Sequence, residues 1–210
     1  MLKLPNDVVV FVVRHGQTVL NKDRRFRGNA NPELDQTGIK QAHELAKLFT
    51  PVQISHIFCS DKIRSTKTAQ IIASAKSCDV HPTEGLRALD VGTFSGERRT
   101  KESEGELQKY LDDPSTQIPG GESLNSFKTR IQPCLQEAVD LFFKCGAPPI
   151  LVAHSSVVHE VGSIIYGDHR KILVEPGGAI AVYVKDGKLA AQPIFRPLTV
   201  PHGTQAGTIT

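Results

Sequence analysis

Two short apolar runs, each followed closely by a histidine, constrain the fold of this chain more than any other feature. Residues 8–13 read Val-Val-Val-Phe-Val-Val, and residues 149–153 read Pro-Ile-Leu-Val-Ala. Apolar runs without alternation are typical of strands that are buried on both faces, as the central strands of parallel sheets are. The first run is followed by Arg14, His15 and Gly16, and the second by His154. We therefore expect two central strands that end in polar groups.

Helical periodicity fills much of the chain between these two strands. Apolar residues recur at three- and four-residue spacing after Thr37, a candidate helix cap, and again after Ser60, the candidate cap of a second helix. Two later helices are predicted over 122–144, where Pro133 should introduce a kink, and over 157–166. Because strands alternate with helices, the sequence predicts an α/β fold, a three-layer α/β/α sandwich with a mostly parallel central sheet.

The whole pattern fits a single domain over residues 1–196. Residues 96–121 are rich in Gly, Pro and charged residues, and we interpret them as a partly helical insertion with its helix over 106–111. Residues 197–210 show no periodic pattern, so we expect a mobile tail. A β-hairpin is predicted from two apolar segments that flank a turn pair: 179–184, Asp186-Gly187 and 189–195.

Charge and apolar content exclude several functional classes. Lys and Arg number 25 against 22 Asp and Glu, which gives a net charge of +3, and the basic residues cluster only at positions 22–27. A nucleic-acid binder usually carries a more continuous basic face, so we expect no nucleic-acid partner and favour a small anionic one. The longest apolar run is too short for a membrane span or a signal-peptide core, so no membrane partner is expected.

The four cysteines form neither a CxxC pair nor a zinc-finger pattern, so the sequence predicts no metal site. A reducing compartment is the simplest interpretation of this cysteine usage, and we expect a cytoplasmic protein. The oligomeric state stays open at this stage, with a homodimer among the alternatives.

Arg64 lies one helical turn beyond a third predicted strand and joins the two histidines in a candidate cluster. Because the carboxyl ends of parallel strands lie at one edge of a sheet, Arg14, His15, Arg64 and His154 should converge there. Two imidazoles and two guanidiniums repel one another unless an anion joins them, and arginine binds phosphate oxygens bidentately. Nearby positive charge also lowers the pKa of a histidine, which leaves a neutral nitrogen free to attack phosphorus. Each residue alone has a purely structural alternative, whereas their joint placement favours phosphoryl transfer.

The segment Arg14-His-Gly-Gln-Thr18 with Asn21 resembles the signature of the histidine phosphatase superfamily, in its phosphoglycerate-mutase-like branch. The resemblance continues through nearly the whole domain, and the order and spacing of its blocks are specific. The later matching blocks are Arg27-Gly28 with Leu34, Thr37-Gly38 and Gln41-Ala42; Ser60 with Arg64, Thr68 and Ala69; Gly92 with Gly96; Gly120-Gly-Glu-Ser123 with Arg130; and Val152-Ala-His154.

The resemblance implies a role for each matching residue. His15 would be the nucleophile that carries the phosphoryl group, and three side chains would bind the phosphoryl oxygens: Arg14, Arg64 and His154. Asn21 would add a side-chain donor, and Arg27 and Gly28 would lie at the pocket wall and contact the rest of the substrate. The backbone amide of Ser155 would be a further donor. The resemblance implies no metal or other cofactor, because the guanidiniums supply the positive charge.

The main departure from the family pattern concerns the proton donor to the leaving group. Members of this branch usually carry a glutamate four residues before the glycine that is Gly92 here, and that position is Ala88, whose methyl group cannot transfer a proton. Asp90 would point to the same side as Ala88 in an extended segment and is the candidate acid; the alternative is a loop or surface carboxylate. Glu122 is a second candidate, for which a helix-capping role is also open.

Three functions are compatible with these residues. The first is a phosphatase that hydrolyses a phosphorylated small molecule, and the second is a mutase acting on a phosphorylated three-carbon acid. Family mutases usually have a longer insertion with more basic residues than Arg98, Arg99 and Lys101, so the phosphatase is favoured. The third is a non-catalytic binder of a phosphorylated ligand, supported by Ala88, because loss of an acid costs roughly two to four orders of magnitude on poor leaving groups.

Overall fold

A six-stranded sheet forms the centre of the computed structural model, which describes residues 4–76, 78–167 and 172–197. The strands are β1 (Val8–Arg14), β2 (Ile57–Ser60), β3 (Val80–Thr83), β4 (Ile150–Ala153), β5 (Ala179–Lys185) and β6 (Lys188–Phe195). Their order in the sheet is β3-β2-β4-β1-β5-β6. The pairings among β1, β4, β2 and β3 are parallel, whereas β5 pairs antiparallel with both β1 and β6. The sheet is therefore mixed, with a parallel majority.

Helices cover both faces of this sheet. They are α1 (Val19–Lys22), α2 (Gln36–Phe49), α3 (Ile63–Ser74), α4 (Lys101–Asp112), α5 (Leu124–Cys145) and α6 (Ser155–Tyr166). Phe49 of α2 and Ile72 of α3 share one apolar core with Phe11 of β1, and Phe127 of α5 shares the opposite core with Val12. Consecutive residues of β1 thus enter different cores, as a strand buried on both faces requires. The three-layer α/β/α prediction is confirmed.

The predicted helix caps are wrong at two positions. Asp35, not Thr37, caps α2, because its Oδ1 accepts a hydrogen bond from the Gly38 amide at 2.8 Å. Ser60 is the last residue of β2, and α3 has no capping side chain of its own. The amide of Ile63 instead donates to Oδ1 of Asn31, at 2.9 Å, from a distant loop.

Helix lengths also differ from the sequence prediction. The insertion helix α4 spans Lys101–Asp112 and is longer than predicted. Helix α5 contains Pro133 in its interior, as predicted. The turn between β5 and β6 has positive φ at Asp186 and Gly187, as predicted for the hairpin. Of the predicted tail, residues 198–210 lie outside the described residues. No helix of the described chain is long and apolar enough to cross a membrane.

Two glycines bring the end of the insertion against the segment that follows β3. Gly92 has φ +49°, and a Cβ there would lie 2.1 Å from the carbonyl oxygen of Pro119. A Cβ on Gly121 would lie 2.3 Å from the carbonyl oxygen of Asp90. Only glycine permits these approaches. The Pro-Gly-Gly break predicted from sequence therefore fixes residues 88–92 beside the start of α5.

Candidate active site

The two histidines lie side by side because their strands are parallel neighbours. β1 pairs with β4 so that Arg14 is opposite Ala153, which places His15 beside His154 at the carboxyl edge of the sheet. The two imidazole centroids are 5.1 Å apart, and the rings are inclined at 65°. Both rings are buried, with His15 0 % and His154 2 % exposed. The strand-end convergence expected from the sequence is present.

The hydrogen bonds of His15 assign its tautomer. Its Nδ1 lies 2.6 Å from the carbonyl oxygen of Gly16, which can only accept, so Nδ1 carries the proton. Its Nε2 accepts a hydrogen bond from Nε of Arg64 at 3.2 Å and therefore bears the lone pair. Gly16 holds this carbonyl in place by close contact with α2, since a Cβ at position 16 would lie 2.4 Å from the carbonyl oxygen of Gly38. The nucleophilic nitrogen is thus Nε2.

Three basic residues around His15 have polar atoms that lack partners. Arg64 is fully buried and donates from Nη1 to the carbonyl of Ala30 at 2.8 Å, while its Nη2 has no partner among the described residues. Arg14 donates from Nη1 to the carbonyl of Val174 at 2.7 Å, and its buried Nε is likewise unpaired within the described chain. Neither ring nitrogen of His154 has a hydrogen-bond partner among the described residues. Buried polar atoms of this kind are rare without a ligand, and these are suited to an anion.

Burial and mutual repulsion lower the pKa values of the whole cluster. Burial, followed by the charge of Arg64, lowers the pKa of His15 and of His154 well below the ordinary 6.5. Burial and the charge of Arg27 lower the pKa of Arg14 to about 9 and that of Arg64 to about 9. Burial and the charge of Arg99 lower the pKa of Arg27 to about 10. A tetrahedral dianion would relieve this repulsion and pair the free donors at once.

The structure distributes the remaining predicted residues around this cluster. Arg27 lies close enough to lower the pKa values of Arg14, His15, Arg64 and His154. Gly28 has φ +44°, and a Cβ there would lie 2.2 Å from Oγ of Ser95. The glycine is therefore needed for the backbone conformation and packing of the pocket wall. Ser155 is the first residue of α6 and places a helix amino terminus directly after His154.

Asn21 has a structural contact that the sequence did not predict. Its Oδ1 accepts hydrogen bonds from the amide and hydroxyl of Thr18, at 3.1 and 2.9 Å, and forms the capping box of α1. The side-chain oxygen is therefore committed to the loop after β1. The NH2 group of the same amide forms no hydrogen bond to the part of the chain that the structure describes, and the role of Asn21 as a donor to the substrate stays a prediction.

Ala88 and Asp90 line the same cleft, which has a volume of about 150 Å³ and is bordered also by Gly28, Asn29 and Lys62. Oδ1 of Asp90 accepts from the amide of Gly92 at 3.1 Å, which fixes the orientation of this carboxyl group. The amide of Asp90 donates to Oε1 of Glu122 at 2.9 Å. Asp90 therefore lines the cleft together with Ala88, and its role as the acid stays a prediction.

The carboxylate of Glu122 forms an ion pair, which differs from the helix-capping role considered from the sequence. Its carboxylate pairs with Arg130 at 2.6 Å, and Ser123 caps α5 by accepting from the amide of Ser126. The helix-capping alternative for Glu122 is wrong. Arg130 in turn donates to the carbonyls of Gly85, Arg87 and Ala88. This ion pair orients Arg130 toward the backbone of the acid segment, a contact that was not predicted because Arg130 and residues 85–88 are more than 40 positions apart in the sequence.

Comparison with known proteins assigns the family. Residues 10–168 match the profile of the Histidine phosphatase superfamily (branch 1), which covers most of the chain. The chain belongs to this superfamily. Its sequence is 35 % identical over 164 residues to a probable phosphoglycerate mutase GpmB of Cronobacter sakazakii, covering 75 % of this chain and 74 % of that relative. A protein of the same name from Salmonella choleraesuis is 34 % identical over the same length.

Several solved structures share the fold. A mycobacterial glucosyl-3-phosphoglycerate phosphatase superposes with a TM-score of 0.75 at 21 % identity, covering 89 % of this chain and 98 % of that one. The phosphoglycerate mutase of Bacillus anthracis gives a TM-score of 0.73 at 22 % identity, covering 88 % and 92 %. The fold is therefore shared with solved structures of a phosphatase and of a mutase and does not separate the two activities. Within the described residues, no three His, Cys, Asp or Glu side chains are grouped to hold a metal ion.

Proposed function

We propose that this protein hydrolyses phosphate monoesters of small molecules through a phosphohistidine on Nε2 of His15. The observation that carries the proposal is the assigned tautomer of His15, which leaves a lone pair on Nε2 in a buried cluster where Arg14, Arg64 and His154 have unpaired nitrogens. Those donors match the equatorial oxygens of a transferring phosphoryl group, where negative charge is greatest.

The reaction proceeds in two displacements. In the first, Nε2 of His15 attacks phosphorus, the N–P bond forms, and the electron pair of the broken P–O bond goes to the leaving oxygen. Asp90 is the proposed acid and gives its proton to that oxygen. In the second, water attacks phosphorus, the pair of the N–P bond returns to Nε2, and the carboxylate of Asp90 takes up a proton of the water.

A mutase acting on a phosphorylated three-carbon acid is the second candidate. The named relatives at 34 % and 35 % identity favour it. A mutase must return the phosphoryl group to its product and so must keep water from the phosphohistidine. Here the insertion contributes one helix, α4, of which only Leu107 is buried. Because so little of the insertion is buried, it shields the phosphohistidine poorly, which favours transfer of the phosphoryl group to water.

All four cysteines are free thiols, which supports a reducing compartment such as the cytoplasm for the reaction.

Hydrolysis of p-nitrophenyl phosphate tests the proposal, because its leaving group departs readily without an acid. We expect wild-type protein to release phosphate and His15→Ala to abolish release, with acid-labile phosphate trapped on the wild-type protein in rapid-quench samples. A mutase would instead interconvert 2- and 3-phosphoglycerate faster than it releases phosphate. Phosphate binding with no turnover of aryl or acyl phosphates would refute the enzyme and leave a phosphorylated-ligand binder.

A further inference from the structure

The cleft beside Ala88 contains one cation that forms no ion pair with a carboxylate of the described chain. Arg87 pairs with Asp61 and Glu84, and Arg130 pairs with Glu122. Lys62 lines the same cleft but belongs to none of the ion pairs among the described residues. Its positive charge is therefore available to a ligand that enters the cleft.

Lys62 lies at the start of α3, two residues before Arg64 of the phosphoryl site. Its ammonium donates to the backbone carbonyl of Asn29, at 3.2 Å, and to the side-chain oxygen of the same residue. An ammonium has three N–H groups, so one donor remains after these two contacts. Two residues later, Arg64 donates to the carbonyl of Ala30. One loop therefore holds Lys62 in the cleft and Arg64 against His15.

The electrostatic couplings of Lys62 join the cleft to the phosphoryl site. Its charge contributes to the lowered pKa of His154. Burial, followed by the charge of Arg87, lowers the pKa of Lys62 itself; Asp61 opposes this shift, Arg64 adds to it, and Asp90 opposes it. An amine that is partly desolvated among cations stabilises a nearby anion more strongly than a solvated one does.

We propose that Lys62 is a catalytic residue whose ammonium donates a hydrogen bond to the oxygen that leaves phosphorus. The inference rests on the proposed phosphatase reaction and deepens it. As the P–O bond breaks, its electron pair moves to the leaving oxygen, and the free N–H of Lys62 offsets the charge while Asp90 supplies the proton. Lys62 keeps its own proton throughout. The cleft then favours substrates with poor, alkoxide-like leaving groups, even though the family's glutamate is replaced by Ala88.

The dependence of rate on the leaving group tests this role. We expect Lys62→Met to lower kcat/KM on alkyl phosphates at least about tenfold, and on p-nitrophenyl phosphate only about twofold, because removal of one donor costs most where the departing charge is greatest. A series of substituted phenyl phosphates should show a steeper dependence on the leaving-group pKa in the variant. Lys62→Arg keeps the charge and should restore most of the alkyl activity.

Lys67→Met is the matched control, since Lys67 lies on α3 and is exposed. It should match wild type on every substrate. Affinity for inorganic phosphate, measured by calorimetry, separates the proposed role from loss of loop structure and should be unchanged in Lys62→Met. An equal loss on all leaving groups, or a loss of phosphate affinity that Lys62→Arg does not restore, would overturn the role of Lys62 but leave the phosphatase standing. Absence of wild-type turnover would overturn both.

Discussion

Nδ1 of His15 donates its proton to the carbonyl of the next residue, and this single contact selects the reactive nitrogen. Gly16 can present that carbonyl because it packs against Gly38 without a side chain. Nε2 is then left to Arg64, whose guanidinium holds the lone pair at 3.2 Å. An incoming phosphoryl group would replace the imidazole as the partner of that guanidinium. The same residue thus restrains the nucleophile at rest and stabilises charge during transfer.

The acid assigned to Asp90 leads to a prediction at the scale of one residue. Asp90→Asn keeps an oxygen for the hydrogen bond from Gly92, so the loop should stay folded, but it removes the transferable proton. We expect kcat/KM on alkyl phosphates to fall about 100-fold and that on p-nitrophenyl phosphate to change little, because kcat/KM reports the phosphorylation step and not the later hydrolysis in which Asp90 acts as base. Glu84→Gln is the control, as Glu84 lines the same cleft as a partner of Arg87. An equal fall on both substrate classes would exclude Asp90 as the acid.

Elements carry the residues of the site to one edge of the sheet. β1 and β4 deliver the two histidines, and α3 delivers Arg64 after β2. The sequence predicted this arrangement because continuous apolar runs and helical periodicity depend on local residue order alone. It did not predict which polar residue caps α2, because Asp35 and Thr37 are both good caps two positions apart. The hydrogen bonds from Lys62 to Asn29 join segments 33 residues apart and leave no local signal.

The cap of α2 gives a prediction at this scale. Asp35 accepts from the Gly38 amide and also from Nε2 of Gln17, in the loop that follows the nucleophile. Asp35→Ala should lower the free energy of unfolding by about 1 kcal/mol, measured by urea titration. Thr37→Ala, in the same turn, should change it by less than about 0.5 kcal/mol. Equal effects of the two substitutions would show that Asp35 does not act as the cap.

At the scale of the whole molecule, the buried cationic pocket lowers the free energy of unfolding and at the same time provides a binding site for an anion. His15 and His154 are held neutral in the folded protein, because their pKa values lie well below 6.5. In the unfolded chain they would titrate near that ordinary value. The unfolded state therefore binds more protons below pH 6.5, and the folded state loses stability as the pH falls through that value toward the lower folded pKa values.

Urea unfolding between pH 8 and pH 5 measures this effect. Wild-type protein should lose more unfolding free energy on acidification than His154→Asn, because the variant has one fewer buried imidazole to protonate. Inorganic phosphate should raise the melting temperature of the wild type, since an anion that binds only the folded state stabilises it. The same pH dependence in both proteins would contradict the neutral state assigned to His154.

The loop of Asn29 and Ala30, which contacts the first turn of α3, determines whether a substrate is better recognised by its binding or by its turnover. Asn29 and Ala30 hold the lysine of the cleft and the arginine of the phosphoryl site on one short segment. Any phosphorylated compound satisfies the arginine, whereas only a compound whose remainder fits the cleft engages the lysine as its bond breaks. Such discrimination is expressed in turnover and hardly at all in affinity. A library ranked by binding would place inorganic phosphate beside the true substrate, while one ranked by the rate of phosphate release would separate them.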